Sequence, residues 1–284
     1  MLKVGLAAVI GVMLAVFAAV LAADLLRHRK EVAAEPGKPL TLMIAAPVVM
    51  FFATMGISDF VMNTLFFKKC DLVDDKRLPG TLVGTGSLPL GIVAVAYLLS
   101  AEVDMRLTAV CMVGQSLGAW LGVGLVAGLD GRRIKKCVAW AMLASAVFLL
   151  LRLAGVGGEG GNLTTFPLPV LLLCGVCAFF LGVGNMLGMG AKAPYLSLLL
   201  TLGLSPACVL PVVMPSCTMS GISGGIRYIR RGLYQRKLTL VYSIAGFVGV
   251  AAGFVFVMNL PQTILQVVML GITVYTGISM LREK

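Results

Sequence analysis

The sequence predicts an all-α polytopic membrane protein: one N-terminal helix, then two inverted repeats, each a broken re-entrant hairpin plus three transmembrane helices. Three observations lead there. The 284 residues are 59% hydrophobic and 12% charged, with a mean hydropathy of +1.01, far more apolar than a soluble domain at about 45–50%. The apolar residues gather into runs of roughly 20, long enough to cross ~30 Å of hydrocarbon. Two of those runs are broken by glycine-containing segments at matching places in the chain.

In chain order, the apolar stretches are 4–26, 41–67, 79–100, 107–128, 138–153, 167–203, 207–226, 238–258 and 262–281. The first, VGLAAVIGVMLAVFAAVLAADLL, has 23 residues and is followed by RHRK. It exceeds the 7–15 residues of a signal-peptide core, so it is read as a retained anchor helix within residues 1–30. The runs 41–67 and 167–203 are interrupted by GISD at 56–59 and GMGAK at 188–192.

An internal repeat organises the remainder. MRLTAVCMVGQSLGAWLG at 105–122 aligns with RKLTLVYSIAGFVGVAAG at 236–253, an offset of 131. LPG at 78–80 aligns with LPV at 210–212, and Gly56 with Gly188, at an offset of 132. The chain therefore divides into a first repeat at 41–153 and a second at 166–281, an arrangement from which many secondary transporters are built.

Charge decides how the broken runs are threaded. Basic clusters favour the cytoplasmic face, and they lie at 27–38, 68–77, 132–136, 227–237 and 282–284. If both broken runs return to the side they entered, all of these fall inside, and only Lys3, Arg106 and Arg152 fall outside, with Lys192 set apart. Each repeat then has one hairpin and three crossings, an odd number, so the second is inverted relative to the first. The N-terminus lies outside and the C-terminus in the cytoplasm.

The breaks are the chemically interesting places. Backbone groups freed inside a membrane are tolerated only when buried in protein or facing a water-filled cavity. The helix restarting after GMGAK presents free N–H groups and the positive end of its dipole, a natural seat for an anion. Pro194 suits its first turn. Lys192 adds a full positive charge, which costs about 2.5–3.5 kcal/mol at a bilayer centre unless it meets a partner or water. Asp59 lies one position from the repeat equivalent of Lys192. Lys192 therefore has three readings: a substrate or coupling-ion residue, half of a structural ion pair with Asp59, or a side chain reaching an interface. Asp59 and Ser58 also fit the first turn and cap of the helix that follows, while a carboxylate at this place can carry a coupling proton. Asn185, Thr85, Ser87, Ser216 and Thr218 are expected to complete the cavity, with Gly188 and Gly190 forming its second tip. Gln115 reads first as helix packing in a glycine-rich segment.

The second repeat, with Gly188-Met-Gly190, Pro194, GLSP at 203–206 and RYIRRGLYQRKLTL behind it, resembles the TauE/SafE sulfite exporter family, also called the four-toluene-sulfonate uptake permease family. The first repeat, with GISDF at 56–60, LPGTLVGTGS at 78–87 and GQSLGAWLG at 114–122, is similar to that family's first half. The resemblance covers 41–281 and leaves the first helix outside. It implies a permease of the inner membrane of a bacterium or archaeon for a small sulfur oxyanion or organosulfonate. Two departures stand against carrying the substrate across: Ser58 and Asp59 replace the family's usual glycine triplet at the first break, and Lys192 adds a cation at the second.

Other classes fit less well. The net charge of +11 sits in short clusters between apolar runs, so it suits a cytoplasmic membrane face rather than nucleic acid. Seven cysteines scattered through apolar segments give no disulfide framework. Cys174 and Cys177 have a metal-like spacing, but no second ligand pair or nearby histidine joins them, and no cofactor motif is read. An intramembrane aspartyl protease needs two carboxylates in the membrane where Asp59 is the single good one, and a serine protease needs a histidine base. The only histidine, His28, is expected to be solvated in a basic loop. The competing non-enzymatic reading is a membrane scaffold or sensor subunit that keeps Asp59 and Lys192 as a fixed pair. Oligomeric state is not legible.

Overall fold

The structure is a computed structural model and describes residues 2–54, 58–100, 103–130 and 163–256, with single positions at 133, 136, 140 and 147. Ten helices lie within these residues: α1 (Leu2–Arg27), α2 (Arg29–Ala34), α3 (Pro39–Thr54), α4 (Asp59–Lys69), α5 (Leu78–Ser100), α6 (Met105–Ala127), α7 (Leu168–Met186), α8 (Lys192–Thr201), α9 (Pro206–Arg230) and α10 (Arg236–Phe256). Six of them, α1, α5, α6, α7, α9 and α10, are long and apolar enough to cross a membrane. The chain is thus an all-α, multi-pass membrane protein. The expected crossings at 138–153 and 262–281 lie outside the described residues, as do Gly56, Glu102 and Glu159.

Both broken runs fold back to where they started. Gly37, just before α3, lies against Leu72, just after α4. The backbone of Leu163, ahead of α7, exchanges hydrogen bonds with Gly203 and Ser205 beyond α8, at 3.2 and 2.9 Å. The two bases sit at different ends of the bundle. The first adjoins the start of α5 and the 227–237 segment, where Thr81 Oγ1 accepts from the Gln235 backbone N–H at 2.9 Å. The second packs with Leu107 at the start of α6, in one cluster with Phe166 and Leu204.

Glycine sets how closely the helices approach. A Cβ on Gly118 of α6 would collide with the Phe179 carbonyl oxygen of α7, and one on Gly182 of α7 with the Gln115 carbonyl of α6. On the other flank, Gly249 of α10 meets the Pro47 carbonyl of α3 and Gly253 the Phe51 carbonyl. Small residues that bring backbones into contact are the usual basis of helix association in lipid. Between these two flanks runs α9, with 83% of its apolar window buried. Pro211 and Pro215 interrupt its hydrogen bonding from within.

The first helix is more firmly held than an anchor requires. Only 17% of its apolar window is buried, yet Ile10 and Phe17 are wholly enclosed, Leu14 resting on Gly91 and Phe17 on Gly225. At its end the Asp24 carboxylate accepts from Tyr234 Oη at 2.6 Å and Arg236 Nε at 2.8 Å. Arg236 also reaches Glu31 at 2.8 Å, and the Lys237 N–H donates to Glu35 at 2.6 Å. Burial, and then the Asp24 carboxylate, hold the Tyr234 hydroxyl well above its ordinary pKa, so it remains a donor. His28 departs from the solvated role expected of it: it is half-buried, its Nδ1 lying 2.9 Å from the Asp24 backbone oxygen and 3.2 Å from Asp24 Oδ1.

Candidate functional site

The two hairpin tips meet inside the bundle. α3 ends at Thr54 and α4 begins at Asp59; α7 ends at Met186 and α8 begins at Lys192. The second turn needs its glycines: Gly188 and Gly190 have φ of +88° and +67°, where other residues are strained. Gly190 lies directly on the first tip, since a Cβ there would come 2.5 Å from Ser58 Oγ.

At this junction Lys192 Nζ donates to Asp59 Oδ1 at 2.7 Å, and the two side chains are 10% and 2% exposed. The second carboxylate oxygen, Oδ2, rests on Gly86 of α5, where a Cβ would approach it to 2.9 Å. Beside the pair is a cavity of ≈ 30 Å³ bordered by Phe60, Ser87, Asn185, Gly190, Thr218 and Gly221, among others. That is room for water next to the charges.

Asn185 braces the second tip. Its Oδ1 accepts from the Ala191 N–H at 3.2 Å, bridging the break, and its Nδ2 donates to Ser220 Oγ on α9 at 3.2 Å. Ser58 takes the cap position of α4 without a side-chain cap bond, and its buried hydroxyl has no partner among the described residues.

The expected site residues are thus sorted. Asp59, Lys192, Asn185, Gly190, Ser87 and Thr218 border one cavity, and Ser58 touches Gly190. Gly188 shapes the turn, its N–H donating to the Asn185 backbone oxygen at 3.1 Å. Thr85 and Ser216 do not border the cavity; each hydroxyl donates to its own helix, to the oxygens of Leu82 at 3.0 Å and Val212 at 2.7 Å. Gly86, Gly221, Cys217 and Phe60 join the lining without having been singled out. Gly86 stands between Thr85 and Ser87, so the GTGS segment was the signal; Ser220 had none, because its role depends on facing Asn185.

The electrostatics are lopsided. Lys192 and Asp59 cancel as full charges, but each also starts a helix whose N-terminus points at the junction. A helix N-terminus carries about half a positive charge, so two of them leave the site positive by about one unit. A lysine at such an end is disfavoured by the dipole, and Asp59 compensates it. Such an arrangement is suited to negative charge, which helix N-termini favour. Among the described residues no group of His, Cys, Asp and Glu side chains can hold a metal ion, and the six cysteines among them are free thiols.

Residues 171–284 match the family model described as Sulfite exporter TauE/SafE. The match takes in the second hairpin and leaves the first outside. Searches of curated proteins and of solved structures returned no match.

Proposed function

We propose that this chain, whose residues 171–284 match the sulfite exporter TauE/SafE model, is a secondary permease for a small anion, a sulfur oxyanion or organosulfonate, working by alternating access. It is read as a carrier and not as an enzyme. The observation that carries the reading is the junction of two helix N-termini on a cavity holding one buried lysine and one buried carboxylate. Lys192, Ser58 and the free N–H groups at the start of α8 take the anion; Asn185, Gly188 and Gly190 keep the tip in shape; Ser87 and Thr218 line the approach. Thr85 and Ser216 support the helices from which neighbouring lining residues project. Asp59 holds Lys192 between cycles, and its protonation frees the lysine for the anion, which couples transport to a proton.

The reading of two inverted repeats, 41–153 and 166–281 after an anchor at 1–30, is supported by how the helices exchange partners. The long arm of the first hairpin, α3, packs on α10 of the second half, and the long arm of the second, α7, packs on α6 of the first half. A two-fold rotation in the membrane plane produces that cross-pairing. We place the protein in an inner membrane, with the N-terminus outside and the C-terminus in the cytoplasm.

The direct 2.7 Å contact between Lys192 and Asp59 favours a second reading, a non-transporting scaffold or sensor subunit with a fixed ion pair. Uptake into proteoliposomes separates the two. With a panel of sulfite, sulfate, thiosulfate and short sulfonates, at least one is expected to accumulate faster than into empty liposomes, and faster still with an imposed proton gradient. Absence of uptake across the panel in either gradient direction rejects the permease.

A further inference from the structure

Several buried hydroxyls in this bundle are satisfied in the same way. Those of Thr54, Thr81, Thr85, Ser87 and Ser216 donate to a carbonyl three or four residues back on their own helix, the local solution open to Ser and Thr in helices. Not every buried polar side chain follows it, and among those that do not, five lie on two helices. Asn63 and Thr64 on α4, and Thr239, Tyr242 and Ser243 on α10, are 0 to 4% exposed, and their side-chain polar atoms have no partner among the described residues.

These five are not scattered. Asn63 stands one turn after Asp59 on the same face of α4. One turn further, the Phe67 ring packs edge-on against that of Tyr242 at 5.6 Å. Thr239, Tyr242 and Ser243 share one face of α10, spaced by three and four residues. Thr239 lies against Gly84 of α5, where a Cβ would meet it at 3.1 Å, two residues from the Gly86 that seats Asp59. The line ends at the basic end of the bundle, where Arg77 reaches Gln235 at 3.5 Å. From Asp59 to Lys69 the helix rises about 15 Å. α4 thus runs from the Lys192–Asp59 junction to the basic face and meets α10 at Phe67 and Tyr242, and each of the five unpaired side chains can donate a hydrogen bond while none carries charge. A buried polar group left without a partner costs free energy unless water or a ligand meets it in some state of the protein.

We propose that the α4–α10 seam is the second half of the anion's path: closed in the conformation described here, it opens to water at the basic face and passes a partly hydrated small oxyanion along neutral donors. The inference rests on the permease reading for the identity of the ligand, but its opening to water is testable apart from it. Single Ser243→Cys and Asn63→Cys changes in the full chain, in membrane vesicles, are treated with a membrane-impermeant maleimide from the basic side and modification is read at the introduced residue by mass spectrometry. Val248→Cys, on the outer face of α10 and 67% exposed, is the lipid-facing comparison. Both seam positions are expected to react at least ~10-fold faster than residue 248, and ethanesulfonate is expected to slow them. Seam cysteines that react no faster than residue 248 overturn the proposal. A second variant, Asn63→Leu, is expected to retain the ethanesulfonate-dependent thermal shift of the wild type while losing most uptake; retention of full uptake overturns the proposal as well. If the wild type neither binds nor moves any sulfur anion, the permease reading has failed, and the labelling comparison still decides whether the seam opens.

Discussion

Replacing Lys192 by methionine removes the cation and leaves Asp59 with its side chain 2% exposed and one oxygen against Gly86. Breaking a buried pair from one side costs about 3–5 kcal/mol, whereas replacing both members with apolar or neutral groups is often neutral. Helix ends refine that range. The stranded Asp59 sits at the N-terminus of α4, where a carboxylate gains up to ~1–2 kcal/mol from the dipole, so Lys192→Met belongs near the lower figure, about 3 kcal/mol. Asp59→Asn instead strands a lysine at the N-terminus of α8, where the same dipole opposes it, so it belongs near about 5 kcal/mol. At roughly 2–4 °C per kcal/mol, the scaling for domains of comparable size, the apparent melting temperature in detergent falls by about 6–12 °C for Lys192→Met and by more for Asp59→Asn. The double variant recovers most of this. Anion uptake separates structure from transport: if Lys192 holds the substrate, the stable double variant remains inactive. A double variant with restored melting and full uptake shows that neither charge touches the anion and refutes the site; equal losses in the two single variants refute the dipole argument alone.

Gly190→Ala introduces a Cβ 2.5 Å from Ser58 Oγ at a φ of +67°; backbone strain of about 1–2 kcal/mol and separation of the tips should lower melting modestly and uptake severely, and wild-type values for both would contradict the tip-to-tip contact as a functional element. Cysteines at Lys69 and Arg133 are expected to label with an impermeant reagent in inverted vesicles and not in intact cells, and labelling of residue 69 from outside rejects the orientation proposed here.

What the sequence made legible follows from what each feature depends on. GISD and GMGAK announce their breaks locally, because glycine and polar residues inside an apolar run leave few alternatives; α3 and α7 end where those segments begin. The Lys192–Asp59 contact is one of the three readings open for Lys192, suggested by repeat register, which sets Asp59 one position from its equivalent. Other features depend on facings that no spacing encodes. Asn185 braces a turn because Ser220 of another helix lies opposite, and Asn63 looks like an ordinary helix residue until its burial without a polar partner is seen. The Asp24–Arg236 contact joins residues 212 positions apart, from a helix that the internal repeat leaves out. Thr85 and Ser216 show the converse: their residue type suits a cavity, but their hydroxyls turn to their own backbones.

The glycine contacts along α3–α10 and α6–α7 bear on how such a molecule moves. Where main chains touch without intervening side chains, two helices cannot shear past each other by small rotamer adjustments; each pair travels as one plank. Yet each plank takes one helix from before residue 130 and the other from after residue 163. Under the alternating access proposed above, the parts that rock are therefore not the N-terminal and C-terminal halves of the chain. Each hairpin is fastened by its long arm to the opposite half, so that displacing one tip drags the framework around the other, and neither can be opened without the second registering it.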